Sequence, residues 1–308
     1  MAFSAAAKKS EPQMSRALVR QETIAGYLFL LPSLIFFVGF VVLPMFMCIG
    51  MSFTDANLNA KAATTFVGLK NFIDLWKDPK FLDALKNTFL LVVVTVPAVT
   101  LFSLWVSSAI YKLRPAVLSA FRCIFYLPVV TGSVAVTVVW KWILDNYNGI
   151  VNSALKSMGL IEKNINWLGT TGITIWCIIL IMFTTYVGQP IVLYVSALGN
   201  VDQSLVEAAE VDGATKLQAF WKIKWPQIMP TTLYILVITT INSFQCFALI
   251  QLLTSGGPKH ATDTIMYYIY YTAFKLYRYG YGNAMGVILA IMIAVLSAVQ
   301  FKVTQSNE

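Results

Sequence analysis

Six long apolar runs, each free of Asp, Glu, Lys and Arg, limit most strongly what this chain can fold into. A helix needs roughly 20 such residues to cross a hydrocarbon layer about 30 Å thick. The sequence therefore predicts an all-α integral membrane protein, with six transmembrane helices in a domain over residues 24–304. The apolar runs are 24–53, 88–111, 123–140, 173–198, 230–253 and 283–301, and with their flanks the third and sixth helices are expected at 119–143 and 280–303.

The composition supports the same fold class. Hydrophobic residues make up 58% of the chain and charged residues only 12%, whereas a soluble domain carries about 25% charged residues. The net charge of +8 is spread over the loops, so it indicates a membrane surface and does not predict nucleic-acid binding. Cys48, Cys123, Cys177 and Cys246 fall in apolar runs without Cys-x-x-Cys spacing, and His260 stands alone. We expect small buried thiols and no metal site.

Basic residues give a partial prediction of orientation. Lys and Arg divide evenly between the two sides of a six-helix topology, so the total count does not decide it. Four basic residues precede the first apolar run, and the first helix usually dominates orientation. We therefore predict a cytoplasmic tail at 1–23, a cytoplasmic C-terminus and a cytoplasmic loop at 201–229, in a multi-pass protein of the plasma membrane. Residues 264–275 fit either an interfacial helix or the start of the last span.

A polar module interrupts the apolar pattern between the fourth and fifth runs. Its sequence, EAAEVDGATKLQAFWKIKWP, begins at Glu207 with good helix formers. Gly213 follows Asp212 and can adopt the positive φ that ends one helix and turns the chain. We predict two short helices on the membrane surface, the second formed by residues 214–224. A solvated surface loop is the plainer interpretation of such charge, but the spacing EAA-x3-G-x9-I-x-W-P is more specific.

This module resembles the EAA loop of the membrane permeases of binding-protein-dependent ABC importers. Within that family the chain is similar to the carbohydrate-uptake subfamily, on the side of the maltose-type first permease. The resemblance extends over most of the chain, although Trp225 stands where the motif has Leu before its proline. The stretches that carry it are FVGLKNF (66–72), DPKFLDALKNTF (78–89), FRCIFYLPVV (121–130), EAAEVDGA (207–214), LTSGGP (253–258) and IYYTAF (269–274).

The resemblance implies that the module is a coupling helix that docks on a separate ATPase subunit. The coupling residues it implies are Glu207, Ala208, Ala209, Asp212, Gly213 and Ala214. It also implies a second homologous permease, two ATPase subunits and an extracytoplasmic substrate-binding protein, in a bacterial inner membrane. The chain lacks the phosphate-binding sequence GxxxxGK[ST]. We therefore expect no catalytic residues and no cofactor in this chain, with ATP and Mg²⁺ bound by the partner ATPases.

Uncharged polar residues within the fourth and fifth runs are the candidates for the substrate pathway. Hydroxyls, amides and aromatic faces suit a neutral sugar, and polar groups are costly against lipid. The candidates are Tyr186, Gly188, Gln189, Thr239, Asn242, Ser243 and Gln245. Such residues also join helices without any ligand, and that alternative is favoured for the threonines, which can bond their own helix backbone.

The sequence therefore predicts one permease subunit of an ATP-driven sugar or oligosaccharide importer. Two other functions stay open. One is an importer of glycerol phosphate or a polyol. An anionic solute would favour a basic residue in the pathway, and none lies in the six runs. A stand-alone facilitator would explain the polar spans but would leave the coupling module without a partner.

Overall fold

The computed structural model describes residues 16–58 and 64–305. Their secondary structure is helical apart from two isolated β-bridges, Thr54–Phe66 and Asn57–Arg278. The helices are α1 Arg16–Phe37, α2 Leu43–Ser52, α3 Lys70–Leu75, α4 Pro79–Ile110, α5 Pro115–Val130, α6 Ser133–Ile143, α7 Ile150–Ser157, α8 Ile173–Tyr186, α9 Gly188–Gly199, α10 Gln203–Val211, α11 Lys216–Ala219, α12 Trp225–Phe244, α13 Ala248–Leu253, α14 Ile265–Tyr270 and α15 Tyr279–Gln305, with π-helical turns at Val38–Val42, Phe220–Lys224 and Tyr271–Lys275.

Length and hydropathy allow four to six membrane spans within the described residues. Four helical stretches are long and apolar enough to cross a bilayer: Thr23–Ser52, Pro79–Ile110, Lys216–Leu253 and Tyr279–Val303. Two bent helix pairs bring the number to six if each pair is one span. The pairs are α5 with α6, bent by 98°, and α8 with α9, bent by 40°. The stretch predicted as a third helix at 119–143 is therefore two helices that meet at Thr131 and Gly132, where Gly132 has φ of +81°.

The chain divides into two compact units at Gly50. From Arg16 onward, where the structure describes it, the first unit is one helix that runs from α1 through the π-helical turn into α2. Large apolar side chains such as Phe29 and Phe40 are exposed on all sides of it. A helix that is apolar all round suits a lipid environment. Of the predicted 1–23 tail, residues 1–15 lie outside the described residues, as do 59–63 and 306–308.

The second unit is built around α9, which packs against α4, α5 and α12. Its buried Ile191, Tyr194 and Leu198 contribute to two apolar clusters between these helices. Ser103 and Ser107 of α4 donate hydrogen bonds to the backbone carbonyls of Val187 and Ile191, at 3.3 and 3.0 Å. Small hydroxyl residues let two helices approach closely in an apolar environment. The same helices position the polar residues described below.

Residues 264–275 do not continue into the last long helix. They form α14 and a π-helical turn, and Leu276–Arg278 separate this segment from α15. The Asp78 carboxylate caps α4 and accepts hydrogen bonds from the hydroxyls of Tyr268 and Tyr281, at 2.7 and 3.0 Å. This carboxylate therefore ties α14 and α15 to the start of α4.

Candidate functional site

Five of the seven predicted pathway residues line one cavity in the second unit. The cavity has a volume of about 370 Å³, within the range of roughly 300–1,000 Å³ typical of small-molecule sites. None of the residues that line it is charged. They are Pro128, Val129, Ser133, Thr185, Tyr186, Gln189, Pro190, Leu193, Ile238, Thr239, Asn242 and Gln245. We call this space the pathway cavity.

The pathway cavity lies where three helical stretches are interrupted. The α5–α6 break precedes Ser133, the α8–α9 break follows Tyr186, and α12 ends just before Gln245. Backbone that leaves a helix at membrane depth is tolerated only where it is buried in protein or faces water. Three interruptions around one polar cavity therefore favour a water-filled space.

Amide side chains supply the accessible hydrogen-bonding groups of this cavity. Asn242 and Gln245 are exposed to it, and Gln189 is half-buried. Tyr186 reaches across from α8, with its hydroxyl 3.5 Å from the backbone oxygen of Asn242. Thr185 instead donates to the carbonyl of Ile181 at 2.8 Å. The arrangement offers amides and an aromatic side chain to a neutral, hydroxyl-rich molecule.

Gly188 and Ser243, the other two predicted pathway residues, do not line the cavity. Ser243 is fully buried. Gly188 faces α5, and a Cβ at this position would overlap the backbone carbonyl oxygen of Phe125. Gly188 therefore serves the close packing of α9 on α5, which places Gln189 at the cavity wall.

Sequence reasoning missed the contribution of α5 and α6 to the cavity. Pro128 and Val129 end one helix and Ser133 begins the next. The Thr-Gly-Ser sequence at residues 131–133 is a turn signal within an apolar run, and it was the feature that could have indicated the break. The expectation of four buried thiols was also wrong: Cys177 and Cys246 are buried, whereas Cys48 and Cys123 are exposed.

The polar module forms α10 and α11, joined by a tight turn. The Asp202 carboxylate caps α10 by accepting hydrogen bonds from Ser204, at 2.9 Å from its backbone nitrogen and 2.7 Å from its hydroxyl. These bonds lower the pKa of the Asp202 carboxyl. Gly213 has φ of +84°, as the predicted turn requires. Thr215 and Gln218 form a reciprocal capping box at the start of α11, so the second helix begins at Lys216 and not at Ala214.

An apolar cluster holds this module against the long helices. Val206 of α10 and Ala219 of α11 are buried with Leu198 of α9 and Ile228 of α12. The helix from α11 continues through a π-helical turn into α12 without a break. A displacement of α10 would therefore be passed directly to α9 and α12.

The outward face of α10 is polar and open. Glu207, Ala208, Asp212 and Gly213 are exposed, while Ala209 and Ala214 are half-buried. Val211 is 87% exposed, although it is apolar. An apolar side chain beside small alanines and carboxylates offers a partner both close packing and polar contacts.

Metal ligands are not grouped in the part of the chain that the structure describes. Within residues 16–58 and 64–305, no three His, Cys, Asp or Glu residues come together as a metal site would need. His260 instead pairs with Asp263, with its Nδ1 atom 2.8 Å from the carboxylate.

Comparison with known families matches residues 76–303 to the family described as binding-protein-dependent transport system inner membrane component. The probable ABC transporter permease protein YesP of Bacillus subtilis (strain 168) is 32% identical over 288 residues, covering 92% of this chain and 91% of YesP. The lactose transport system permease protein LacF of Rhizobium radiobacter is 30% identical, covering 92% of this chain and 95% of LacF.

A solved structure shares the fold. It is a bacterial alginate ABC transporter in complex with an alginate pentasaccharide-bound periplasmic protein. One of its chains superposes with a TM-score of 0.77 at 26% identity, over 94% of this chain and 96% of that chain.

Proposed function

Because the chain belongs to the family of binding-protein-dependent transport system inner membrane components, we propose that it is the permease subunit of an ATP-driven importer that carries a sugar or oligosaccharide across the membrane. The observation that carries this proposal is the uncharged polar cavity at three helix breaks. Its amides and Tyr186 match the hydroxyls and the C–H faces of a sugar ring. LacF and the alginate transporter, by their names, also handle saccharides.

The coupling residues keep their proposed roles. Glu207 makes the polar contact with an ATPase subunit, Ala208 and Ala209 pack closely against it, and Asp212, Gly213 and Ala214 form the bend. ATP and Mg²⁺ are bound by two such ATPase subunits, and this chain contributes no catalytic group. When the ATPases close, they displace α10. The buried contacts of Val206 then pass that movement to α9 and α12, which line the cavity.

The remaining partners follow from the same proposal. A second homologous permease encloses the pathway from the other side, and an extracytoplasmic binding protein delivers the sugar. The chain lies in a bacterial plasma membrane with both termini and α10 on the cytoplasmic face. Each ATPase-driven cycle opens the pathway cavity to the outside and then to the cytoplasm.

Co-purification from detergent tests the proposal first. We expect an ATPase and a second permease to accompany the wild-type chain, and Glu207→Lys and Gly213→Pro to lose the ATPase but keep the permease. Glu162→Lys, a charge reversal at an exposed loop residue, is the matched control and should keep both. A wild-type chain that purifies alone, or sugar uptake into vesicles without ATP, would favour the facilitator and contradict the importer.

The solute class is tested with the complex in proteoliposomes, supplied with its binding protein. Lactose, arabinotriose and trimannuronate cover neutral and acidic saccharides, and glycerol 3-phosphate covers the anionic alternative. We expect ATP-dependent uptake of a saccharide, because the pathway cavity has no charged residue in its lining. Uptake of glycerol 3-phosphate alone would overturn the sugar assignment and leave the importer assignment intact.

A further inference from the structure

A second cavity shares part of its lining with the pathway cavity and has one positively charged side chain, Arg122, in that lining. Its volume is about 400 Å³, and it is lined by Arg122, Cys123, Tyr126, Gln189, Val192 and Leu193. Gln189 and Leu193 also line the pathway cavity. The two spaces therefore share one wall, which α9 forms at Gln189 and Leu193.

The second cavity lies toward the coupling module. The end of α4 is joined to that module by a 2.9 Å hydrogen bond between Lys224 Nζ and the Tyr111 hydroxyl. Helix α5 starts a few residues later, at Pro115. Arg122 is seven residues farther, or about 10 Å along the helix, whereas Pro128 of the pathway cavity lies nearly two turns beyond it. Along α5, Arg122 thus precedes the pathway cavity on the side of α10.

The Arg122 side chain has an unmet need for a partner. Its Nε atom is buried, and no hydrogen-bond partner for it exists among the described residues. A buried donor without a partner destabilises the protein, and more so when it is charged. A guanidinium donates in a planar fork, so it is best satisfied by two neighbouring oxygen atoms. Adjacent hydroxyls of a sugar ring, or a sugar carboxylate, present that pair.

We propose that Arg122, Tyr126 and Gln189 form a second saccharide-binding station, which holds a sugar ring after it leaves the pathway cavity. The inference rests on the proposed function. The guanidinium donates to two neighbouring ring oxygens, the Tyr126 ring packs against the C–H face, and the Gln189 amide passes the sugar between the two cavities. This station explains why Arg122, the only charged residue in the lining of the two cavities, lies in the second cavity and not in the pathway cavity.

Transport by the complete importer tests the role of Arg122. In proteoliposomes with the binding protein and ATP, we expect Arg122→Gln to lower uptake of the accepted sugar about tenfold, as loss of a charged hydrogen-bond pair does. Uptake should fall more than ATP hydrolysis, so the ATP used per sugar rises. Arg122→Lys should restore part of the uptake. Arg114→Gln, at an exposed position before the same helix, is the control and should transport as the wild type does.

Cys123 provides a direct probe of occupancy, because its thiol lines the second cavity. Alkylation by N-ethylmaleimide during turnover should slow at least twofold when lactose, arabinotriose or trimannuronate is the accepted sugar. Cys48, which is exposed in the first unit, should react at the same rate with and without sugar. In Arg122→Gln the protection of Cys123 should disappear. Stronger protection by trimannuronate than by lactose would identify a carboxylate as the preferred oxygen pair.

Two results would overturn the station. One is normal uptake by Arg122→Gln together with a Cys123 rate that sugar does not change. The other is loss of the second permease when Arg122→Gln is purified, which would make Arg122 a subunit contact. Failure of the proposed function is distinguishable from both, because it would show in the wild type as absent ATP-dependent sugar uptake.

Discussion

At the scale of single residues, a glycine decides how closely two helices around the pathway cavity approach. Gly188 begins α9 beside the backbone of α5 at Phe125 and Tyr126. Its backbone has no unusual φ, so the requirement is for space and not for a special conformation. The position of Gln189, the next residue, depends on that approach.

We expect Gly188→Ala to destabilise the protein by about 1–3 kcal/mol, the usual cost of forcing extra atoms into a packed contact. The added methyl group must push α9 away from the Phe125 carbonyl, which also widens the pathway cavity and slows transport. Thermal unfolding of the detergent-solubilised complex measures the loss. Gly199→Ala, at the other end of α9 with open space around it, should unfold like the wild type, and equal stability of both variants would refute the packing argument.

A second residue, Asp263, has surroundings that change the pKa of its carboxyl group. Its side chain is only 3% exposed and lies beside His260, Lys80 and Tyr267, in the loop that follows α13. Burial raises the pKa of the Asp263 carboxyl from its ordinary value of 3.8, and the hydrogen bond from His260 opposes that rise.

A raised pKa means that the folded state holds this proton more tightly than the unfolded state does. The contribution of Asp263 to the free energy of unfolding is therefore greatest below pH 3.8. It falls as the pH rises through the raised pKa of the folded state. Asp263→Asn should remove that part of the pH dependence. Unfolding measured between pH 4 and pH 7 tests this, with exposed Asp83→Asn as the control. If Asp263→Asn keeps the wild-type dependence of unfolding free energy on pH, Asp263 does not titrate in this way.

At the scale of elements, the polar module of α10 and α11 was the most predictable part of the chain and the helix breaks were the least. The turn at Gly213 followed from the sequence because few residues tolerate its φ. The start of α11 was misplaced by two residues because the capping box of Thr215 and Gln218 was not recognised. The 98° bend between α5 and α6 could not be derived from hydropathy, since both halves are apolar and only their packing shows the change of direction.

One contact joins two elements that the sequence leaves far apart. Lys224, on the π-helical turn before α12, donates a hydrogen bond to the hydroxyl of Tyr111 at the end of α4 and lies over its ring. Through this hydrogen bond, a movement that starts in α10 and α11 would also reach α4. Tyr111→Phe keeps the ring and removes the hydrogen bond.

We expect Tyr111→Phe to cost about 0.5–1.5 kcal/mol of stability and to raise the ATP hydrolysed per sugar carried, because α4 no longer follows the module. Lys224→Met should have the same effect, and the double variant should be no worse than either single one. Lys222→Met, an exposed neighbour on the same turn, serves as the control. Additive effects of the two substitutions would mean that they act independently.

At the scale of the whole molecule, the division between charged surface and uncharged pathway follows from the sequence, but the shape of the pathway does not. Tyr186, Gln189, Thr239, Asn242 and Gln245 could be chosen because polar groups in apolar runs need protein or water around them. Arg122 was not among the candidates, which were taken from the fourth and fifth apolar runs, and it lies just before the third run. Arg122 lies close to Gln189 only because α5 packs on α9, and the sequence pattern does not predict that packing.

No charged residue lines the pathway cavity, and Asn242→Asp tests whether an added charge there impairs transport of a neutral sugar. A carboxylate in this cavity would have no basic partner in the lining and would hold water and cations in place of sugar hydroxyls. We expect uptake of a neutral sugar to fall about tenfold or more at pH 7, with part of it recovered as the pH falls and the new carboxyl is protonated. Asn148→Asp, in an exposed loop, controls for the added charge. Co-purification of the partners should not change in either variant, since Asn242 faces the cavity and not α10. An Asn242→Asp importer that carries neutral sugar at the wild-type rate would show that the solute passes elsewhere.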